Sequence, residues 1–165
     1  MDEIERRVRD TVAGLDGVEV VECDPALADT ADFAAAYGYA MDDSANAIVV
    51  IGRASSASVP PVYAACVVLA TTRLDVNRAV RKRLGVRKAS FAPPEVTAEL
   101  TGMAIGGVTP FALPPDLPLW IDGRVMGRER IVVGGGSRSA KVVGPPSMLL
   151  TIPHAEVVDD LAVDL

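Results

Sequence analysis

Thr101-Gly102-Met103-Ala104-Ile105-Gly106-Gly107-Val108-Thr109-Pro110-Phe111 holds three glycines, one proline and no charged side chain. A regular helix is excluded here, because each interior glycine costs about 1 kcal/mol against alanine and a proline about 3 kcal/mol. A disordered linker is excluded as well, since Met103, Ile105, Val108 and Phe111 call for burial. What remains is an ordered loop with bare main chain, built so that another group can approach the backbone closely. Working outward, a second run of this kind, Gly134-Gly135-Gly136-Ser137-Arg138, follows about two strands later. Two such loops suggest a shared pocket floor. A pair of tight turns that only connect strands is the commoner reason for glycine runs.

The surrounding chain is that of an ordinary globular protein. Its 165 residues fit a single domain, 1–165, and half of them are hydrophobic. Aromatic residues make up only 4%, so the core is built of Val, Ala, Leu and Ile. The longest apolar run, Val59 to Ala70, is far short of the roughly 20 residues that span a bilayer, so no membrane partner is expected. The opening Met1-Asp2-Glu3-Ile4-Glu5 is acidic where a secretory leader is basic, which predicts a cytoplasmic protein. Cys23 and Cys66 form no metal spacing and no redox pair, and read as small buried hydrophobes. His154 has no partners for a metal site and reads as a first-turn helix residue.

Charge is unevenly spread. Between Arg73 and Lys88 stand seven basic residues and one acid, a local +6 against −6 for the whole chain, so the remainder carries −12. A patch of that kind can hold a polyanion, or it can be a solvated helix face.

The pattern predicts helices over 2–13, from Asp29 or Thr30 to Tyr37, 76–84, from Pro93-Pro94 to about Leu100, 147–151 and 154–161. Asp29 and Asp75 stand where helix caps are expected. Strands are expected over 18–22, 47–51, 62–70, 88–91, 119–121, 130–133 and 141–143, with a tight turn, or a strand end of unusual φ, at Asp122-Gly123. Irregular alternation of helix and strand points to an α+β domain around a curved mixed sheet. No nucleophile elbow, phosphate-binding lysine loop, zinc helix or dinucleotide fingerprint occurs. Backbone chemistry is left. Amides in glycine loops bind a carbonyl oxygen or an oxyanion, often a large term in acyl hydrolysis. Thr109, Ser137 and Ser139 can orient a water or a ribose hydroxyl. Asp122 can accept from an ammonium group or order the loops, or simply form the turn before Gly123.

Taken in order, Arg87-Lys88-Ala89-Ser90-Phe91-Ala92, Glu95, Thr101-Gly102, Gly106-Gly107-Val108-Thr109-Pro110-Phe111, Ile121-Asp122 and Gly134-Gly135-Gly136-Ser137-Arg138 resemble the YbaK/aminoacyl-tRNA deacylase family, the prolyl-tRNA synthetase-associated editing domain. The resemblance runs from about Asp29 to Leu161. It implies a mixed sheet, partly barrel-like and flanked by helices. It also implies hydrolysis of the ester of a mischarged tRNA, such as cysteine or alanine on a proline tRNA, with no cofactor and no metal. Gly106, Gly107, Thr109 and Pro110 are then expected to shape the aminoacyl pocket, with Gly135, Gly136 and Ser137 as its other wall. Asn46 would lie near the ester and Asp122 would order the loops.

The family's members typically carry a lysine where this chain has Asn46. Asparagine keeps the hydrogen bonding but not the charge. That keeps a second reading in play, a non-catalytic module of the same fold that binds an aminoacyl group, a nucleotide or a tRNA end. Arg53 is the nearest candidate to restore the charge. A third reading, outside the family, is a small-molecule sensor or structural partner whose glycine loops are only turns. Arg78, Arg81, Lys82 and Arg83 are expected to touch the phosphates of the tRNA acceptor end. A synthetase is a further candidate partner, and monomer and homodimer both stay open.

Overall fold

The computed structural model describes residues 2–165. Its frame is a five-stranded mixed sheet of order β5-β2-β3-β6-β9. The strands are β2 (Ala45–Arg53), β3 (Val62–Leu69), β5 (Lys88–Phe91), β6 (Leu119–Asp122) and β9 (Ala155–Val158). β2 runs antiparallel to both β3 and β5, whereas β6 is parallel to β3 and to β9. A three-stranded antiparallel sheet of β1 (Glu19–Glu22), β8 (Ala140–Gly144) and β7 (Ile131–Gly134) stands beside it. Among the described residues the two sheets are joined by one parallel bridge, Ser44 to Val132. They therefore curve toward each other without closing a barrel. β4 (Thr72–Leu74) pairs with β10 (Ala162–Asp164) as a separate two-stranded piece.

Alternation along the central strands serves two cores, one on each face, as expected of a sheet covered on both sides. Ala65, Val67, Leu119 and Ile121 face β7, β8, the Met103–Ala112 loop and helix α1 (Glu3–Val12), which contributes Val8 and Val12. Ala64, Cys66, Val68 and Trp120 face the other way. There they meet Val76, Ala79, Val80 and Leu84 of a helical segment, a π turn over Val76–Val80 running into α3 (Arg81–Leu84). Two further helices, α2 (Thr30–Tyr37) and α4 (Pro94–Thr101), end in left-handed glycines, Gly38 and Gly102. At such C-termini glycine pays no Cβ penalty.

Several expectations need correction. The segment over 154–161 is not a helix. His154 and Asp160 take positive φ of 67° and 59°, and between them Ala155–Val158 forms β9 along β6. Val157 and Val158 tolerate either state, and the open edge of β6 offers a ladder that a short isolated helix lacks. Asp29 and Asp75 do occupy the N-cap positions expected of them, but neither side chain bonds a helix amide. The expected cap Asp29 instead forms an ion pair with Arg138. Residues Pro146–Thr151 are 3₁₀, not α. Asp122 ends β6, one of the two readings open there, and Gly123 then opens a short helix, α5 (Gly123–Met126), rather than a tight turn. Both cysteines are free and buried, as expected. Burial pushes the Cys66 thiol up to about 12.

Candidate functional site

β5 pairs only with residues 50–53 of β2, and β7 meets the chain at Ser44. The β2 edge between these contacts, Ala45 to Val49, is therefore left to line a cleft of about 450 Å³. Asn46, Thr30 and Asp29 line it, together with Gly106 and Val108 from the first glycine loop, and Gly134 and Lys141 from β7 and β8. Phe91 and Ile105 stand at the lining with 53% and 54% of their surfaces exposed. Ile105 thus departs from the burial its loop predicts, and gives the cleft an apolar lip.

The two glycine loops meet directly. The amide of Gly136 donates to the carbonyl of Gly107 at 2.9 Å. A Cβ on Gly107 would lie 2.7–3.1 Å from the backbone of Ser137, and one on Gly134 would overlap the carbonyl oxygen of Val108. Close packing of main chain on main chain, rather than turn geometry, is why glycine stands at these two positions. Two cations clamp the assembly from the second loop side. Arg138 Nη1 donates to the carbonyl of Ile105 and to Asp29 Oδ1, each at 3.1 Å. Lys141 Nζ donates to the carbonyls of Ala28, at 2.6 Å, and Gly106, at 3.1 Å. Burial lowers the pKa of this lysine below its ordinary value.

Of the sequence-predicted residues, the structure brings Asn46 and Gly106 to the cleft. Asn46 Oδ1 accepts from the Thr30 hydroxyl at 2.9 Å, which leaves its NH₂ group free to donate. Gly107 lies behind the lining, its amide bonded to the carbonyl of Ala104. Thr109 is fully buried and accepts from the Phe111 amide, and Pro110 is buried beside it. The backbone of Gly135 packs on Ala140, and Gly136 faces Ile4 of α1. The Ser137 hydroxyl donates to Glu5. These residues build the loops without facing the cleft.

Asp122 lies elsewhere, 1% exposed at the end of β6, where Oδ1 accepts from the Ala162 amide. Arg78, Arg81, Lys82 and Arg83 ride on the helical segment over the second core, and none lines the cleft. Arg83 is engaged by Glu156 and by the ring of Trp120, 5.0 Å away. Arg53 is exposed at the far end of β2 and does not line the cleft either.

Sequence reading missed Lys141, Thr30, Asp29 and Phe91 as lining residues. Only Lys141 left a signal, a lone charge inside the apolar strand pattern of Ala140 to Val143. Among the described residues no His, Cys, Asp or Glu side chains cluster so as to hold a metal ion. No helix there is long and apolar enough to cross a membrane.

Fold and cleft together define an α+β domain with a pocket walled by main chain, an asparagine amide and one lysine. The chain belongs to the aminoacyl-tRNA editing domain family, whose model matches residues 24–152. Among solved structures it is similar to a protein provisionally described as a trans-editing enzyme for prolyl tRNA synthetase, at 26% identity and TM-score 0.79, over 100% of this chain and 99% of that one. The hypothetical protein APE2540 is similar at 25% identity and TM-score 0.80, over 94% and 99%. A longer protein from Marinobacter aquaeolei VT8, provisionally described as a signal transduction protein, shares the fold at 17% identity and TM-score 0.60. It covers 99% of this chain and 31% of that one.

Proposed function

We propose that this chain is a trans-acting deacylase that hydrolyses the ester of a mischarged aminoacyl-tRNA. Cysteine or alanine on a proline tRNA is the first substrate to test. The observation that carries the reading is the convergence of Asn46, Gly106 and Gly134 on one cleft whose lining, among the described residues, contains no serine, cysteine or histidine nucleophile. Such a wall suits attack by water. The water oxygen bonds to the acyl carbon, the carbon–oxygen bond to the ribose breaks, and the departing ribose oxygen takes a proton. The amide of Gly106 has no acceptor among the described residues, and with the Asn46 NH₂ group it would donate to the oxygen that gains charge. Asp29 is the lining's one carboxylate among the described residues, and Arg138 holds it. Proton removal from the water would then fall to the substrate's own amine or hydroxyl. Phe91 and Ile105 offer the terminal adenine an apolar lip, and stacking on such a surface is sequence-tolerant. Arg78, Arg81 and Lys82 would meet acceptor-stem phosphates. This assignment places the protein with the translation apparatus in the cytoplasm.

Incubating the protein with a panel of mischarged tRNAs, and following release of the labelled amino acid, tests this. Enzyme-dependent release from at least one mischarged tRNA, with the correctly charged tRNA spared, is the expected result. Binding without release favours the second reading, a non-catalytic module, to which the neutral Asn46 lends support. Neither binding nor release sinks both.

A further inference from the structure

Among the described residues Lys141 is the one cation on the cleft lining, and the only carboxylate there, Asp29, is already matched by Arg138. The cleft therefore holds an unneutralised positive charge inside a protein of net charge −6. That charge is costly to bury, because an ammonium group loses hydration that only good hydrogen bonds replace. Two of its three N–H bonds go to the carbonyls of Ala28 and Gly106, and no acceptor among the described residues takes the third. The Phe33 ring, 5.7 Å from Nζ, adds a weaker attraction. A purely structural tie between two carbonyls would not need a full charge. A neutral donor would hold them without the desolvation cost.

We propose that Lys141 is a catalytic residue of this cleft, its third N–H donating to the acyl oxygen of the bound ester and holding the negative charge that develops there. This rests on the deacylase reading of the same site. It also orients the substrate, because the ammonium of Lys141 draws the acyl oxygen toward itself and, by repelling positive charge, keeps the substrate's amine neutral and able to take the water's proton. The groups facing Lys141 are Cys23 beyond β1, Asp29 before α2 and Arg138 of the second loop; its β7 neighbour, Gly134, carries no charge. Cys23 and Asp29 favour the charged form, while burial and Arg138 oppose it. Deprotonation of Lys141 would therefore remove activity at a pH below the ordinary lysine value of 10.5.

The test compares the intact chain with Lys141→Met, Lys141→Gln and the double variant Asn46→Lys/Lys141→Met, each first checked by circular dichroism and melting temperature. Two readouts are taken: hydrolysis of mischarged tRNA across pH, and affinity for adenosine carrying an alanyl or cysteinyl group through a non-hydrolysable 3′-amide. The inference expects Lys141→Met and Lys141→Gln to lose about ten- to hundredfold in kcat/KM, as when a hydrogen bond to a charged group is lost. Asn46→Lys should restore part of that loss in the Met background. The alkaline fall of the wild-type rate should move in the double variant, where the ammonium sits on another strand.

A folded Lys141→Gln as active as wild type overturns the proposal, and so does a double variant with no recovery. A wild type that binds the amide but hydrolyses nothing ends the deacylase reading. In that case a tenfold weaker amide affinity in Lys141→Met still supports contact with the acyl group, and unchanged affinity overturns it. A wild type that binds no amide ends both.

Discussion

Gly134 and Gly14 make opposite use of the same residue type. A methyl on Gly134 would run into the carbonyl of Val108, whereas one on Gly14 meets nothing within 4 Å. Gly134→Ala should destabilise the protein by about 1–3 kcal/mol, since a well-packed contact must be forced open. Gly14→Ala should be neutral, or stabilise by up to about 1 kcal/mol through the unfolded chain. Urea unfolding of the two variants side by side checks both signs. Thr30→Val removes the hydroxyl that fixes Asn46 Oδ1. The expected result is a several-fold loss in kcat with a melting temperature close to wild type, because one part-exposed hydrogen bond is worth about 1 kcal/mol. At this scale the sequence was only half legible. The glycine runs announced bare backbone, but Asn46 and Lys141 are 95 positions apart, and nothing local says that their side chains share a cleft.

At the scale of elements, β3 is the strand whose surroundings make the sharpest prediction. Cys66 lies in its middle, fully buried, with its pKa raised by burial to about 12 from its ordinary value of 9.0. A raised thiol pKa means that the folded state keeps a proton the unfolded state gives up. Stability is therefore full below about pH 9 and falls as pH rises toward 12. The limiting slope for one such group is about 1.4 kcal/mol per pH unit. Cys23 is shifted in the same direction, so it adds to the fall. Unfolding free energies between pH 8 and 10.5 should decline for the wild type and more gently for Cys66→Ala. An equal decline in both would refute the assignment.

Elements with a strong period of their own, such as α1 with Ile4, Val8 and Val12, were readable from sequence. β9 was not. Its apolar spacing suits a helix as well as a strand, and the edge of β6, contributed by residues more than 30 positions away, decided between them.

Across the whole molecule, the basic helix lines no part of the cleft, so charge and chemistry can be varied separately. No ion pair holds Arg78, Arg81 or Lys82 among the described residues. Reversing Arg78 and Lys82 to glutamate should weaken tRNA binding and flatten its dependence on log salt by roughly 0.7–0.9 per lost phosphate contact. Hydrolysis of a short aminoacylated end fragment should be unaffected. A salt slope unchanged in the variant would remove the helix from the tRNA footprint.

By itself the chain's order of residues determined the α+β class, two backbone-rich loops and the family, because these depend on local conformational cost and on motifs read in series. Only tertiary structure decided which residues face the cleft. It withdrew Thr109, Gly136 and Ser137 behind the wall, set Asp122 at the far end of β6 and delivered Lys141 from β8. Burial and the orientation of a strand's alternating faces are properties of the packed sheets, not of any single segment.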